Sequence, residues 1–147
     1  MKILSLLLLT IFLGRGCEAQ NNQDMKTAVI EYVANSRGFY QKITIQNQTI
    51  SVSKDRSGNK QPTVTKITDA NWKELVASFK SVELDLLPSL KAPTEKRFYD
   101  GAAIAHLKII YKDKTYETPA FDHGFPPVEI KKIVTQIHSF AKQNDEN

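Results

Sequence analysis

Two aspartates and two histidines in the last third of the chain are the residues best suited to chemistry: Asp100, His106, Asp122 and His123. Neutral imidazole and carboxylate groups can bind zinc, and a pair of carboxylates can serve as general acid and base. However, no His-x-x-x-His or Glu-x-x-His spacing places two ligands on one helical face, and there is no Gly-x-Ser-x-Gly nucleophile motif. We therefore expect no metal site and no cofactor. A small hydrolase or metal-dependent enzyme that uses these four residues stays open as the alternative function.

The elements around these residues can bring them together. Apolar and polar residues alternate over 104–111, and a second β-rich run over 115–121 follows a short polar turn. Antiparallel pairing of the two runs places Asp100 and Asp122 at the same end of the sheet, close to Arg97. An arginine there can bind a carboxylate or phosphate, or it can form a structural ion pair with Asp100 or Glu95. The sequence thus predicts a candidate binding edge made of Arg97, Asp100, His106, Asp122 and His123.

The same residues also have a purely structural interpretation. Asp100-Gly101 is a typical turn pair, Gly124 allows the chain to reverse, and Pro126-Pro127 favours the start of a helix. In this interpretation Asp122 caps the turn or the helix start, and His123 is exposed. The sequence does not decide between a binding edge and a corner of the fold.

The spacing of apolar residues predicts the elements. Ile43 and Ile45, and then Ile50 and Val52, alternate with polar neighbours, which is typical of half-buried antiparallel strands. In two later segments, apolar residues recur every three or four positions, as they do in amphipathic helices. Their apolar stripes are Trp72, Leu75, Val76 and Phe79 in the first, and Ile130, Ile133, Val134, Ile137, Phe140 and Ala141 in the second. We predict an α+β fold: a single antiparallel sheet of about six strands with both helices packed on one face.

The same patterns give predictions for two further surfaces of this fold. On the second helix, Lys131, Lys132, Gln136 and His138 lie opposite the apolar stripe and should face water. On the strand over 104–111, the side that carries Ile104 and Ile110 either meets a helix or remains open to a partner.

The N-terminal residues have the pattern of an export signal. Met1-Lys2 supplies a positive start, an apolar run follows over residues 3–13, and Gly14 to Cys17 end it. An apolar core of about 7–15 residues behind a basic start is typical of a secretory signal. It is shorter than the roughly 20 residues that a membrane-spanning helix needs. Because Cys17 is the single cysteine, an internal disulfide is excluded.

This arrangement resembles the precursor of a bacterial lipoprotein, in which the cysteine becomes the acylated first residue of the mature chain. The resemblance covers residues 1–17, although Arg15 stands where such precursors normally have a small neutral residue. It implies a lipid on Cys17 and attachment to a membrane of the cell envelope. The alternative is cleavage after Ala19, which gives a secreted or periplasmic protein without a lipid.

We expect four segments: the signal over 1–17, a flexible tether over 18–25, one domain over 26–142 and a polar tail over 143–147. The 20 basic and 16 acidic residues of the chain are scattered. Without a basic stripe interleaved with aromatic residues, a nucleic-acid partner is not expected. The leading functional hypothesis is a non-enzymatic module of the cell envelope that binds a protein or a small ligand.

Overall fold

The computed structural model describes residues 24–146. The predicted signal, Cys17 and residues 18–23 of the tether lie outside the described residues. The packed domain includes more of the N-terminal side than predicted, because Met25 is buried at the start of a 3₁₀ turn, Met25–Thr27. The predicted tether, residues 18–25, was wrong at its last residue, because Met25 belongs to the packed domain.

A single antiparallel sheet forms the centre of the domain. Its strands are β1 (Val29–Asn35), β2 (Tyr40–Gln46), β3 (Thr49–Ser53), β4 (Thr63–Lys66), β5 (Ile104–Tyr111), β6 (Lys114–Glu117) and β7 (Phe121–Asp122). The strand order is β4-β3-β2-β1-β5-β6, and β7 also pairs with β5. The β-rich run over 115–121 is thus divided between two strands, and Pro119, which has no amide hydrogen to donate, lies between them. The predicted α+β fold is confirmed.

Two helices cover one face of this sheet. They are α1 (Asp69–Lys80), which begins after Thr68 with the Thr68 hydroxyl accepting a hydrogen bond from the Asn71 amide, and α2 (Lys131–Asp145). Phe79 of α1 packs against Tyr111, and His138 of α2 packs against Tyr32. Three further 3₁₀ turns span Leu84–Ser89, Lys96–Tyr99 and Val128–Ile130. Within residues 24–146, no helix has the length and hydropathy to cross a membrane.

The C-terminal tail predicted over 143–147 is wrong for most of its length, because α2 continues to Asp145. Asn144 is buried, and its side-chain amide donates to the Thr63 carbonyl while its oxygen accepts from the Thr65 hydroxyl. These bonds fasten the helix end to edge strand β4. A run of polar residues was therefore not a free tail, because one of them satisfies backbone and side-chain groups of a remote strand.

Within residues 24–146, no helix covers the opposite face of the sheet. Glu31 lies at its centre, with one carboxylate oxygen 3.6 Å from Lys42 Nζ and the other 2.5 Å from Lys108 Nζ. Burial alone would raise the pKa of Glu31, but the two lysines outweigh it and lower that pKa. Ile104 is exposed and Ile110 is partly exposed on this face. The face predicted to be either covered or open is thus open.

Candidate functional site

The candidate site lies at the end of the sheet where β1 and β7 end and where β2 and β5 begin. Asn35, the last residue of β1, pairs with Tyr40 on one side and with Ile104 on the other, and Ile104 pairs with Asp122. Adjacent strands lie about 4.8 Å apart. The β1–β2 turn, the start of β5 and the turn after β7 are therefore neighbours at this end of the sheet.

Asp122 is the structural centre of this end. Its side chain is 0% exposed, and its Oδ1 accepts from the Arg97 amide at 2.9 Å and from Arg97 Nη1 at 3.1 Å. Its Oδ2 accepts from the Lys96 amide at 2.7 Å and from the Thr94 hydroxyl. Burial alone would raise the pKa of this carboxyl group, but the bonds from Thr94, Arg97 and Lys96 outweigh it and lower the pKa to about 2. We call Thr94, Lys96, Arg97 and Asp122 the Asp122 anchor.

The predicted partners of Arg97 were wrong. Its guanidinium group binds Asp122, 25 residues along the chain, and also donates to the Thr94 carbonyl at 2.8 Å. Asp100 is exposed and adopts φ 59° where it ends the 3₁₀ turn Lys96–Tyr99. Asp122 therefore does cap a turn, but it is the remote turn over residues 96–99 rather than the one that follows it in the chain.

Gly101 keeps this turn compact. Its amide donates to the Lys96 carbonyl at 2.8 Å, and a Cβ atom added to it would lie 2.8 Å from Cε2 of Tyr99. The absence of a side chain at residue 101 thus allows the Tyr99 ring to lie against the backbone. The Asp122 anchor and Gly101 together fix the backbone of the turn that carries residues 98 and 99.

His123 and His138 belong to a second cluster beside the anchor. The Tyr32 hydroxyl lies 2.8 Å from Nδ1 of His123, and the His138 ring lies 4.5 Å from the Tyr32 ring and 5.2 Å from the His123 ring. The Phe39 ring covers His123 at 5.1 Å. We call Tyr32, Phe39, His123 and His138 the histidine cluster. His123 is half-buried rather than exposed, and the prediction that His138 and Gln136 face water was wrong because both are partly buried.

Burial sets the charge of the histidine cluster. It lowers the pKa of His123, and together with the charges of His123 and Lys142 it lowers the pKa of His138 to about 4. Burial also raises the pKa of Tyr32, so the hydroxyl remains protonated. Both imidazole rings are therefore neutral at pH 7, and the tyrosine is available as a donor.

His106 does not join the other predicted site residues. It pairs with Val33 on the open face of the sheet, with Nδ1 3.4 Å from the Thr118 carbonyl and 4.0 Å from Glu117. Tyr32 and the helices lie on the other face. The structure thus brings Arg97, Asp122 and His123 together, leaves Asp100 exposed at the end of the same turn, and separates His106 from them.

No family model and no curated protein matches the chain. The chemistry of the site must therefore be argued from its own residues. Within residues 24–146, no three His, Cys, Asp or Glu side chains come together in a way that could hold a metal ion. What the end of the sheet does present is a set of aromatic rings.

Four exposed aromatic side chains lie at this end of the sheet: two on the turn that the anchor holds, one in the histidine cluster and one in the turn after β7. Phe98 and Tyr99 are 71% and 72% exposed, and Phe39 and Phe125 are 40% and 41% exposed. Lys96 Nζ lies 3.9 Å above the Phe125 ring, and the Arg97 guanidinium lies 4.4 Å above the Phe98 ring. We call these four rings the aromatic end. Exposed rings with cations over their faces can bind apolar and aromatic groups of a partner.

Sequence reasoning missed most of this surface. The aromatic residues were visible, but Phe39 and Phe98 are separated by 59 positions, and only the strand pairing shows that their turns lie at the same end of the sheet. Nothing in the residues next to Tyr32 along the chain indicates that its hydroxyl reaches His123, 91 residues away. The one local signal for His138 is that it adjoins Ile137 and lies four residues after Val134, at the border of the apolar stripe.

Proposed function

We propose that the protein is an exported, lipid-anchored module of the cell envelope that binds a protein or a small ligand through its aromatic end. The proposal that the domain binds a partner rests on the exposure of Phe98 and Tyr99. Both side chains are more than 70% exposed, and they lie on a turn held by a buried ion pair. Exposed apolar groups that cluster and are rimmed by polar residues are typical of interaction sites. The proposed lipid on Cys17 rests on the resemblance of residues 1–17 to lipoprotein precursors.

The way in which the turn is held supports recognition rather than chance exposure. Thr94, Lys96 and Arg97 all bind one carboxylate, so the backbone that carries Phe98 and Tyr99 is fixed before any partner arrives. A turn whose backbone is already held in its bound conformation loses less conformational entropy on binding. Aromatic residues and arginine are also the types enriched at the energetic centres of interfaces.

The point at which the proposed tether joins the domain also supports a partner that binds on the side away from the lipid. Asp24, where the proposed tether joins the domain, donates its amide to the Tyr111 hydroxyl at 3.0 Å. Tyr111 ends β5, whereas the aromatic end lies at the start of β5. A strand of this length spans about 25 Å, so the aromatic end and Asp24 are at opposite ends of the sheet.

No specific contact favours the alternative of an enzyme. Both oxygens of Asp122 are engaged by Thr94, Lys96 and Arg97, so the carboxylate has no free position for acid–base work. His106 lies across the sheet from His123. The four residues first considered for a hydrolase or metal-dependent enzyme, Asp100, His106, Asp122 and His123, therefore do not converge on one site.

Photo-crosslinking of the full chain in its native cells tests this proposal. We expect a photoreactive phenylalanine analogue at position 98 to give one discrete adduct, and the same analogue at position 64 to give none. Val64 is a matched control because it is 60% exposed but lies on edge strand β4, four strands from β5. An intact mass spectrum of the same sample should show an acylated Cys17 at the N-terminus. Equal crosslinking at both positions would refute the binding surface, and an unmodified N-terminus at Gln20 would refute the anchor.

A further inference from the structure

The histidine cluster contains a polar atom without a partner. Nε2 of His138 is buried and makes no hydrogen bond within the described residues. The ring is instead enclosed by Tyr32 at 4.5 Å and by His123 at 5.2 Å, both in edge-to-face contact. Most buried polar atoms in native proteins are hydrogen-bonded, so one that is not points to a special role.

We propose that the histidine cluster is an acid-sensitive switch that opens the Phe39 side of the aromatic end. Its relevance to binding rests on the proposed function, because the aromatic end is the surface that it would reshape. The switch itself follows from the packing of two imidazole rings against one tyrosine and needs no ligand.

Protonation of His123 conflicts with its existing hydrogen bond. The Tyr32 hydroxyl and Nδ1 of His123 lie 2.8 Å apart, and the hydroxyl is the donor when the neutral ring carries its proton on Nε2. The added proton would occupy that same nitrogen, so both groups would become donors unless the hydroxyl turns away. Tyr32 is 0% exposed, which leaves the hydroxyl little room to find a new partner inside the core. Movement of His123 towards solvent resolves the conflict.

The surrounding charges make a second protonation still less favourable. A proton on His138 would place two cations in rings 5.2 Å apart, with Lys142 of the same helix adding a third positive charge. In β7, Asp122 directly precedes His123 and is already bound by Arg97. From the loop after β3, Arg56 donates to the Phe39 carbonyl at 3.3 Å and is also a cation. Within residues 24–146, the charge acting on His138 comes from His123 and Lys142, and no carboxylate compensates it.

The sign of the pH dependence follows from these contacts. The pKa of each ring is lowered in the folded state relative to an ordinary value of about 6.5. Below pH 6.5 the open or unfolded state therefore binds more protons than the closed state, and acid favours opening. The closed cluster is fully populated above about pH 6.5 and is lost as the pH falls towards about 4, the pKa of His138.

Phe39 couples the cluster to the surface. Its ring covers His123 at 5.1 Å, and its carbonyl accepts the Ser36 amide at 2.8 Å in the β1–β2 turn. When His123 moves outward, Phe39 loses the ring on which it packs. Residues 36–40 and 123–125 should therefore change together, whereas β3 and β4 should not.

Two-dimensional NMR of the full chain in detergent micelles, from pH 7.5 to pH 4, tests the switch. We expect resonances of residues 36–40 and 123–125 to change with one shared midpoint between pH 6.5 and 4, while those of Ile50 and Val64 stay in place. His138→Phe keeps an aromatic ring without a titrating group, and it should move the midpoint down by at least about one pH unit. His106→Gln, which removes the histidine of the open face, should leave the midpoint unchanged.

Three results would overturn the proposal. These are an unaltered midpoint in His138→Phe, a shifted midpoint in His106→Gln, or simultaneous loss of all resonances, which indicates global acid unfolding. If His138→Phe does not fold, His138→Gln provides the same comparison. Because the titration uses the protein alone, its failure would leave the crosslinking result at position 98 standing. Failure of crosslinking would likewise leave the titration intact.

Discussion

Asp122→Asn is expected to lower the free energy of unfolding by about 3–5 kcal/mol, the cost of removing one partner from a buried ion pair. The substitution leaves the Arg97 guanidinium, only 11% exposed, without its counter-charge. The amides of Lys96 and Arg97 would also lose an ionised acceptor. The effect should therefore be much larger than that of a typical surface substitution. Urea denaturation followed by circular dichroism measures it.

Asp100→Asn is the matched control for this substitution. Asp100 is exposed and has φ 59°, a conformation that asparagine tolerates well. Its substitution should change the free energy of unfolding by less than about 0.5 kcal/mol. Equal losses in the two variants would show that Asp122 is not the anchor of the turn.

Phe121→Ala is expected to cost about 3–5 kcal/mol, the usual range for a phenylalanine removed from a core. Phe121 is 0% exposed, and its ring lies 6.2 Å from the Tyr32 ring. It pairs with Ala105 and directly precedes Asp122, so the cavity would loosen the strand that positions the anchor. Thermal and urea unfolding of the same variant should both report the loss.

Phe125→Ala is the matched control, because it removes the same type of side chain four residues further along the chain. Phe125 is partly exposed and contacts Lys96 Nζ at 3.9 Å, so its removal should cost no more than about 1 kcal/mol. If Phe125→Ala were as destabilising as Phe121→Ala, the aromatic end would be part of the core rather than a surface for a partner.

The α+β fold could be predicted because its signals are local. The alternation of Ile43 and Ile45, and of Ile50 and Val52, records which side of a strand is buried. The three- to four-residue spacing in α1 and α2 records the face of a helix in the same way. The helix-covered face follows from these patterns without knowledge of any remote contact, whereas they left undecided whether the face that carries Ile104 and Ile110 is covered.

The site was less accessible to prediction because its contacts are remote in sequence. Arg97 was expected to pair with a neighbour in its own loop, but strand pairing brings Asp122 closer and removes it from water. His138 was placed on the water side of α2 because the helical pattern cannot show that Tyr32 and His123 extend the core past its apolar stripe. Asn144 was assigned to a tail for a related reason: its partners, Thr63 and Thr65, lie about 80 residues away.

The most direct test of the proposed binding surface is cysteine labelling in the native envelope. The structure contains no cysteine within residues 24–146, so Asp100→Cys and Val64→Cys each introduce one thiol into the described domain. Asp100 is exposed and directly follows Tyr99, so its substitution leaves all four rings of the aromatic end in place. Each variant is treated with a membrane-impermeant maleimide, once in native membranes and once after purification in detergent. If a partner occupies the aromatic end, Asp100→Cys will react several-fold more slowly in membranes than after purification, while Val64→Cys will react at similar rates. Equal protection ratios at the two positions would contradict the account.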